Sequence, residues 1–204
     1  MNSKTATHPI SCRCGAFRGE VRRPEHGTRA VCYCRDCQAF ARFLDSPPGM
    51  MDSLSGTDIV AVRPRFVSFT SGQEHLTCMS LSPNGTLRWY TGCCKTPIGN
   101  TPRDYKVSHL GLIHTCLQTG TASMDKSFGP VQMRVNCQSA SGKAPANSPL
   151  TFGWAVGRFL VSMAWNRLAG GYKVNPFFNI GTGQPIVTPH VVSAAERRAL
   201  RGDD

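Results

Sequence analysis

The chain has 204 residues, 40% of them hydrophobic and 17% charged. It is therefore long and apolar enough to bury a core, which excludes an intrinsically disordered protein. The formal net charge is +11, but lysine and arginine occur singly or in short pairs and form no basic stripe interleaved with aromatic residues. We expect a cationic surface that attracts small anions, and nucleic acid is not the favoured partner.

The N-terminal segment, residues 1–10, contains no apolar signal-peptide core, so we expect a cytoplasmic protein. Residues 10–21 are predicted to be extended, with a bend at Gly15, and they carry Cys12 and Cys14. A C-x-C spacing allows two sulfurs to converge on one metal ion without distorting the backbone. This segment is the first of three cysteine clusters.

The second cluster reads C-Y-C-R-D-C at residues 32–37. Residues 38–43 are good helix formers with no breaker before Pro47, so the cluster is predicted to run into a short helix. A C-x-x-C at the start of a helix is also typical of thioredoxin-like redox proteins, and Cys34 to Cys37 has that spacing. The additional Cys32 and the remote cysteine pairs favour metal binding instead.

The remainder of the first 137 residues is rich in strand-forming patterns. A turn is predicted at the S-P-N-G of residues 82–85, and the hairpin around it delivers the third cluster, Cys93 and Cys94. Strands are predicted at residues 59–69, 76–81, 86–90, 105–117 and 131–136. The sequence thus predicts a mainly β domain over residues 10–137, with an antiparallel core held together by metal.

The last third of the chain differs in composition. Residues 138–150 are rich in Ser, Ala, Gly and Pro and are predicted to be a linker. Residues 151–169 are apolar, but Arg158 and Asn166 interrupt them too often for a bilayer span, so a buried or amphipathic helix is expected. A second, short helix is predicted near the C-terminus. We expect residues 151–204 to form a helical extension that packs on the core or on a second subunit, with an interfacial helix as the alternative.

Seven of the ten cysteines lie in the three clusters, and seven sulfurs divide into four plus three. A four-thiolate zinc site is closed and structural, whereas a three-thiolate site leaves one position for water or substrate. A disulfide framework is the rival interpretation, but it suits small secreted proteins. The isolated Cys78, Cys116 and Cys137 are expected to be buried as small hydrophobic residues.

The order C-x-C-G, C-x-C-x-x-C and a cysteine motif before Thr-Pro resembles the glutathione-dependent formaldehyde-activating enzyme (GFA) family, also called the centromere protein V family. The resemblance covers residues 10–135. The family pattern is C-x-C-G, C-H-C-x-x-C and F-C-x-x-C-G-T-P, and here Tyr33 replaces the histidine. In the third motif Thr91 stands at the position of the first cysteine, Cys94 at the second, and Lys95 at the glycine.

The resemblance implies an all-β, Mss4-like fold with two zinc ions per chain. Cys12, Cys14 and Cys94 would hold the structural ion, with Cys93 as the nearest substitute for the fourth ligand. The catalytic ion, with an open position, would be held by Cys32, Cys34 and Cys37.

An open zinc position deprotonates an entering thiol, which suits carbon–sulfur bond chemistry. Glutathione, a small thiol with two carboxylates, would be the co-substrate, and Arg35 and Arg42 are candidate residues for binding it. Asp36 is either a general base or a helix cap.

Three functions follow as hypotheses. The first is a zinc-dependent carbon–sulfur lyase that acts on a thiol adduct of a small aldehyde. The second is a non-catalytic zinc-stabilised scaffold that binds nucleic acid or protein. The third is a thiol or metal sensor.

Overall fold

The computed structural model describes residues 6–118 and 123–202. Residues 119–122 of the predicted β domain and residues 203–204 of the predicted extension lie outside the described residues. The described part is mainly β, as predicted. Its strands are β1 (Thr7–Ser11), β2 (Arg18–Arg22), β3 (Thr28–Cys32), β4 (Thr57–Val62), β5 (Val67–Ser71), β6 (Leu76–Ser80), β7 (Leu87–Thr91), β8 (Pro97–Thr101), β9 (Leu110–Ile113), β10 (Met133–Val135), β11 (Phe178–Asn179), β12 (Gln184–Pro185) and β13 (His190–Val191). Its α-helices are α1 (Arg35–Phe43), α2 (Met124–Phe128), α3 (Pro149–Leu168) and α4 (Ala194–Arg201).

Eight strands form the main sheet in the order β10-β3-β4-β9-β8-β7-β6-β13, and β1-β2-β5 form a second sheet. The predicted antiparallel arrangement holds for the interior of the main sheet. Both edges differ, because β10 pairs with β3 and β13 pairs with β6 in parallel. Each of these edge strands returns from far along the chain, so local sequence patterns do not reveal the pairing.

The predicted strand over residues 59–69 is divided in two. Pro64 begins a short 3-10 helix between β4 and β5, since proline lacks the amide hydrogen that a sheet ladder requires. Of the predicted strand over residues 105–117, only Leu110–Ile113 forms a strand, β9.

Side chains alternate across β7 and so face two hydrophobic cores. The first core lies on the face of Trp89, and the second lies on the face of Arg88. Trp89 is fully buried on one face, where its ring lies 4.9 Å from that of Phe177. Arg88 lies on the opposite face with its guanidinium over the ring of Phe40, which belongs to α1. Helix α1 therefore covers the face of the main sheet that carries Arg88. Cys78 and Cys116 are buried in the first core as predicted, whereas Cys137 is half-buried.

Parts of the chain after residue 137 pack against the β domain and into its cores. In the predicted linker, the Ser141 amide donates to the Leu54 carbonyl at 3.1 Å. Phe177 contributes to the first core, and Val192 to the second. The two predicted helices are present as α3 and α4, with three short strands between them. Of the helices described, none has the length and hydropathy needed to span a membrane.

Candidate metal centres

The first centre lies where two tight turns meet. Cys12 and Cys14 follow β1, and the Gly15 amide closes this turn by donating to the Cys12 carbonyl at 3.0 Å. Gly15 has φ 76°, a left-handed conformation that costs glycine little. Cys93 and Cys94 lie in the turn between β7 and β8.

Four sulfurs converge in this centre. Every pair of Sγ atoms among Cys12, Cys14, Cys93 and Cys94 lies within 4.8 Å. Four of these six separations are 3.4 Å for Cys14–Cys93, 3.5 Å for Cys12–Cys14, and 3.8 Å for both Cys12–Cys93 and Cys93–Cys94. A tetrahedron with zinc–sulfur bonds of about 2.3 Å has edges of about 3.8 Å. The donor set thus fits a closed zinc site, and the adjacent residues Cys93 and Cys94 both contribute to it.

Hydroxyl groups surround Cys94. The Thr96 hydroxyl lies 3.1 Å and the Thr91 hydroxyl 3.5 Å from its sulfur. Burial raises the pKa of this thiol, but hydrogen bonds from Thr96, Thr91 and Cys14 together outweigh burial and lower the pKa to about 5. Thr91, which stands where the GFA pattern has cysteine, is therefore a hydrogen-bonding neighbour of the sulfurs. Cys93 supplies the fourth sulfur.

The second centre joins the end of β3 to the start of α1. The Sγ atoms of Cys32, Cys34 and Cys37 lie within 4.8 Å of one another. Cys34 is the N-cap of α1, and its sulfur accepts from the Cys37 amide at 3.4 Å. A helix N-terminus stabilises a thiolate at this position. Cys32 and Cys37 are buried and Cys34 is half-buried, so the centre opens toward solvent on the side of Cys34.

Two polar side chains from distant parts of the chain contact these sulfurs. The Asn136 amide donates to the sulfur of Cys32 at 3.4 Å, and the Arg88 guanidinium lies 4.0 Å from the sulfur of Cys37. Hydrogen bonds from Cys34 and Cys37 lower the pKa of Cys32. The Cys32 hydrogen bond in turn raises the pKa of Cys34 and of Cys37. Without metal one thiolate is favoured, whereas a bound divalent ion would require all three.

Sequence reasoning missed both Arg88 and Asn136. The alternation of L-R-W-Y along β7 is the available signal for Arg88, because it places the arginine on the face opposite Trp89. Asn136 follows β10, whose parallel pairing sets Val135 opposite Cys32. No local pattern predicts that juxtaposition.

Asp36 is an ion-pairing residue. It accepts a hydrogen bond from Nε of Arg201 at 2.9 Å and lies 3.8 Å from Arg88. The N-cap of α1 is Cys34, so the predicted cap role of Asp36 is wrong. Its carboxylate is thus engaged by two guanidinium groups from distant parts of the chain.

The two candidate substrate-binding arginines lie on α1. Arg35 is exposed in its first turn, directly after Cys34. Arg42 is two turns further along and donates to the Leu200 carbonyl of α4. Only Arg35 is therefore close to the second centre in sequence and on its exposed side. Arg42 instead helps to join α4 to α1.

Tyr33, the residue in place of the histidine of the GFA pattern, contacts the loop that precedes β4. Its ring is buried at 2% exposure, and its hydroxyl donates to Asp52 at 3.3 Å. A Cβ on Gly56 would lie 2.5 Å from the tyrosine ring, so the loop is shaped around this side chain. Tyr33 therefore packs in this loop, and its hydroxyl is engaged by Asp52.

Comparison with known proteins gives a family and a distant structural similarity. The profile of a family described as "Family of unknown function (DUF6151)" matches residues 3–188. A crystal structure of a Rhodobacter sphaeroides protein is 18% identical over 62% of this chain and 99% of that chain, with a TM-score of 0.40. No curated protein matches the chain.

Proposed function

This chain belongs to the DUF6151 family, and because no function is described for that family, we propose one from the metal centres. The chain is a two-zinc protein in which the ion at Cys32, Cys34 and Cys37 promotes carbon–sulfur bond chemistry. Its substrate is an adduct of a small aldehyde with a thiol such as glutathione, as in the GFA family that its motifs resemble. The observation that carries the proposal is the unequal division of sulfurs, four in one group and three in the other.

The first centre would hold the fold together. Its sulfurs join the turn after β1 to the turn between β7 and β8, two segments that are about 80 residues apart. Structural zinc contributes its binding free energy directly to folding. The Mss4-like arrangement remains part of this proposal.

The second centre has three thiol ligands, and a zinc ion there would act as a Lewis acid that stabilises a substrate thiolate. In the cleavage direction, the carbon–sulfur bond of a hemithioacetal breaks and its electron pair leaves on sulfur. The hydroxyl proton passes to solvent and the carbon–oxygen double bond forms. Cys34, the half-buried ligand, lies on the side by which the substrate sulfur would enter.

The charges around the second centre support thiolate ligands. Three thiolates and one divalent ion carry a net charge of −1, and Arg88, with 5% side-chain exposure, is placed to balance it beside Cys37. A buried guanidinium requires such a partner. Arg35, exposed beside Cys34, would attract the carboxylates of glutathione.

The proposal predicts that a metal ion at the second centre has an exchangeable ligand, and cobalt spectroscopy tests this prediction. Cobalt-substituted protein should change its ligand-field and thiolate-to-metal absorption bands when glutathione is added. Cys34→Ser should lose this response but keep the fold, because the four-sulfur centre still joins the sheets. Cys137→Ser, which alters a half-buried cysteine outside both clusters, is the matched control and should respond like the parent. An unchanged spectrum of the parent at saturating glutathione would refute the catalytic role.

One observation favours the scaffold alternative. Cys32 and Cys37 are only 9% and 5% exposed, as expected of a centre that only holds structure. In that case the protein should lack glutathione-dependent turnover of formaldehyde. Steeply salt-dependent binding to duplex DNA would then assign the cationic surface to nucleic acid.

A further inference from the structure

Helix α3 is oriented with its apolar side toward solvent. Apart from its first residue, Pro149, its exposed residues are all apolar except Thr151 and Arg167. We call the rest of these exposed residues the outer ridge: Leu150, Gly153, Trp154, Gly157, Leu160, Val161, Ala164, Trp165 and Leu168. Their spacing of three and four residues places them on one side of the helix along its whole length. The exposed fraction reaches 69% for Trp154, 70% for Val161 and 67% for Trp165.

The polar residues of α3 fix this orientation. Arg158 donates to the Thr28 hydroxyl at 3.1 Å, and Ser162 accepts from Nε of Arg63 at 2.8 Å. Asn166 is fully buried and donates to the hydroxyl of Ser108. These residues are four apart and attach the helix to the β domain by one polar face. Turning the ridge inward would break all of these bonds, so the exposure of the ridge is built into the fold.

The surroundings of the ridge are cationic. The 70 residues from 126 to 195 contain no aspartate or glutamate and six lysines or arginines. Arg22, Arg23 and Arg65 line a surface cavity with residues 169–171, at the C-terminal end of α3. Arg167 and Lys173 are exposed next to them. The acidic residues nearest to Arg22 and Arg23 in the sequence are Glu20 and Glu25, and Glu25 pairs with His26.

We propose that the outer ridge binds an anionic lipid surface, a function beyond the metal chemistry. A helix of 20 residues is about 30 Å long, and this one would lie in the plane of the membrane with its tryptophans at the level of the headgroups. The arginines and lysines at its C-terminal end would contact the lipid phosphates. A second copy of the chain would cover the ridge too, but residues 126–195 offer no carboxylate to pair with this cationic end. Charge complementarity thus favours the membrane.

The experiment is co-sedimentation of the full, metal-loaded chain with vesicles. We expect binding to phosphatidylcholine mixed with phosphatidylglycerol, weaker binding at high salt, and little binding to phosphatidylcholine alone. Tryptophan fluorescence should shift to the blue on binding. The shift reports the ridge, because Trp89 is fully buried in the core and the chain has only three tryptophans.

Variants separate the apolar and ionic contributions. Val161→Glu and Trp165→Glu should each weaken vesicle binding roughly tenfold or more. Arg167→Gln combined with Lys173→Gln should weaken it about fivefold per charge and reduce its salt dependence. The control Ser53→Glu adds the same negative charge as Val161→Glu, but at an exposed site between α1 and β4. It should bind vesicles like the parent.

Two outcomes would overturn the proposal. One is a dimer in sedimentation velocity that Val161→Glu dissociates, without vesicle binding by the parent, which would assign the ridge to a second copy. The other is a monomer that ignores anionic vesicles. Circular dichroism and thermal unfolding, measured in parallel, show whether each variant is folded.

Discussion

Replacement of Cys93 by serine tests the sulfur that takes the place of the first cysteine of the GFA third motif in the first centre. Four of the six sulfur pairs lie 3.4 to 3.8 Å apart and all lie within 4.8 Å, against an edge length of about 3.8 Å for a zinc tetrahedron. A zinc ion would therefore require sulfur movements of no more than about 1 Å. Structural zinc contributes about 10–16 kcal/mol through four ligands, so one thiolate accounts for roughly 3 kcal/mol. Since a domain is stable by about 5–15 kcal/mol, Cys93→Ser should weaken zinc binding more than a hundredfold and destabilise the fold markedly.

The assay combines zinc stoichiometry by mass spectrometry, competition with a chromophoric chelator, and thermal unfolding. The parent should hold two zinc ions, and Cys93→Ser should lose one to the chelator. The double variant Thr91→Cys with Cys93→Ser recreates the cysteine spacing of the GFA third motif. It should recover much of the zinc affinity, because the Thr91 hydroxyl already lies 3.5 Å from the sulfur of Cys94. Cys137→Ser serves as the control and should keep both ions. If Cys93→Ser retains two ions with the parent's affinity and melting temperature, Cys93 is not a ligand and the first centre is misassigned.

Three further predictions concern other buried side chains. Arg88→Met should cost about 2 kcal/mol of unfolding free energy and weaken metal binding at the second centre, because it removes the buried cation beside Cys37. Denaturant unfolding and zinc titration measure the two effects, and parent-like values would contradict this role of Arg88. Tyr33→Phe should retain both zinc ions and lose no more than about 1 kcal/mol, since the hydroxyl makes one bond to Asp52; an altered cobalt spectrum would instead indicate a role at the metal. Burial lowers the pKa of His109 from 6.5 to about 4, so its contribution to stability is present above pH 6.5 and is lost as the pH falls through about 4. Acidification from pH 8 to pH 5 should thus cost the parent about 2 kcal/mol more than His109→Gln in urea unfolding, and equal losses would show that this histidine does not carry the pH dependence.

Short-range spacing makes much of the metal chemistry readable from the sequence. Cys12 and Cys14 lie in one turn, and Cys32 to Cys37 span one turn and the start of a helix. Ligands this close in sequence are brought together by local backbone geometry, whatever the rest of the fold does. The helix over residues 38–43 and the strands from residue 76 to residue 90 are predicted for the same reason, because their signals lie within the segment itself.

Only the tertiary structure decides what meets these local units. The GFA resemblance already groups Cys93 with Cys12, 81 positions away, but Arg88 reaches Cys37 only because alternation along β7 turns it toward α1. Asn136 meets Cys32 through a parallel strand pair at the edge of the sheet. Such contacts depend on sheet order and strand direction, which no neighbouring residues encode.

For helix α3 too, the sequence predicts the helix but only the tertiary structure decides which of its faces is buried. Its sequence predicts a helix over residues 151–169, but apolar residues occur on nearly every side of it, so periodicity alone does not choose the buried face. Hydrogen bonds to Thr28, Arg63 and Ser108, from three different parts of the β domain, choose it. They bury the polar face and leave the outer ridge exposed, since an unpaired polar group costs more in the interior than an apolar side chain does at the surface.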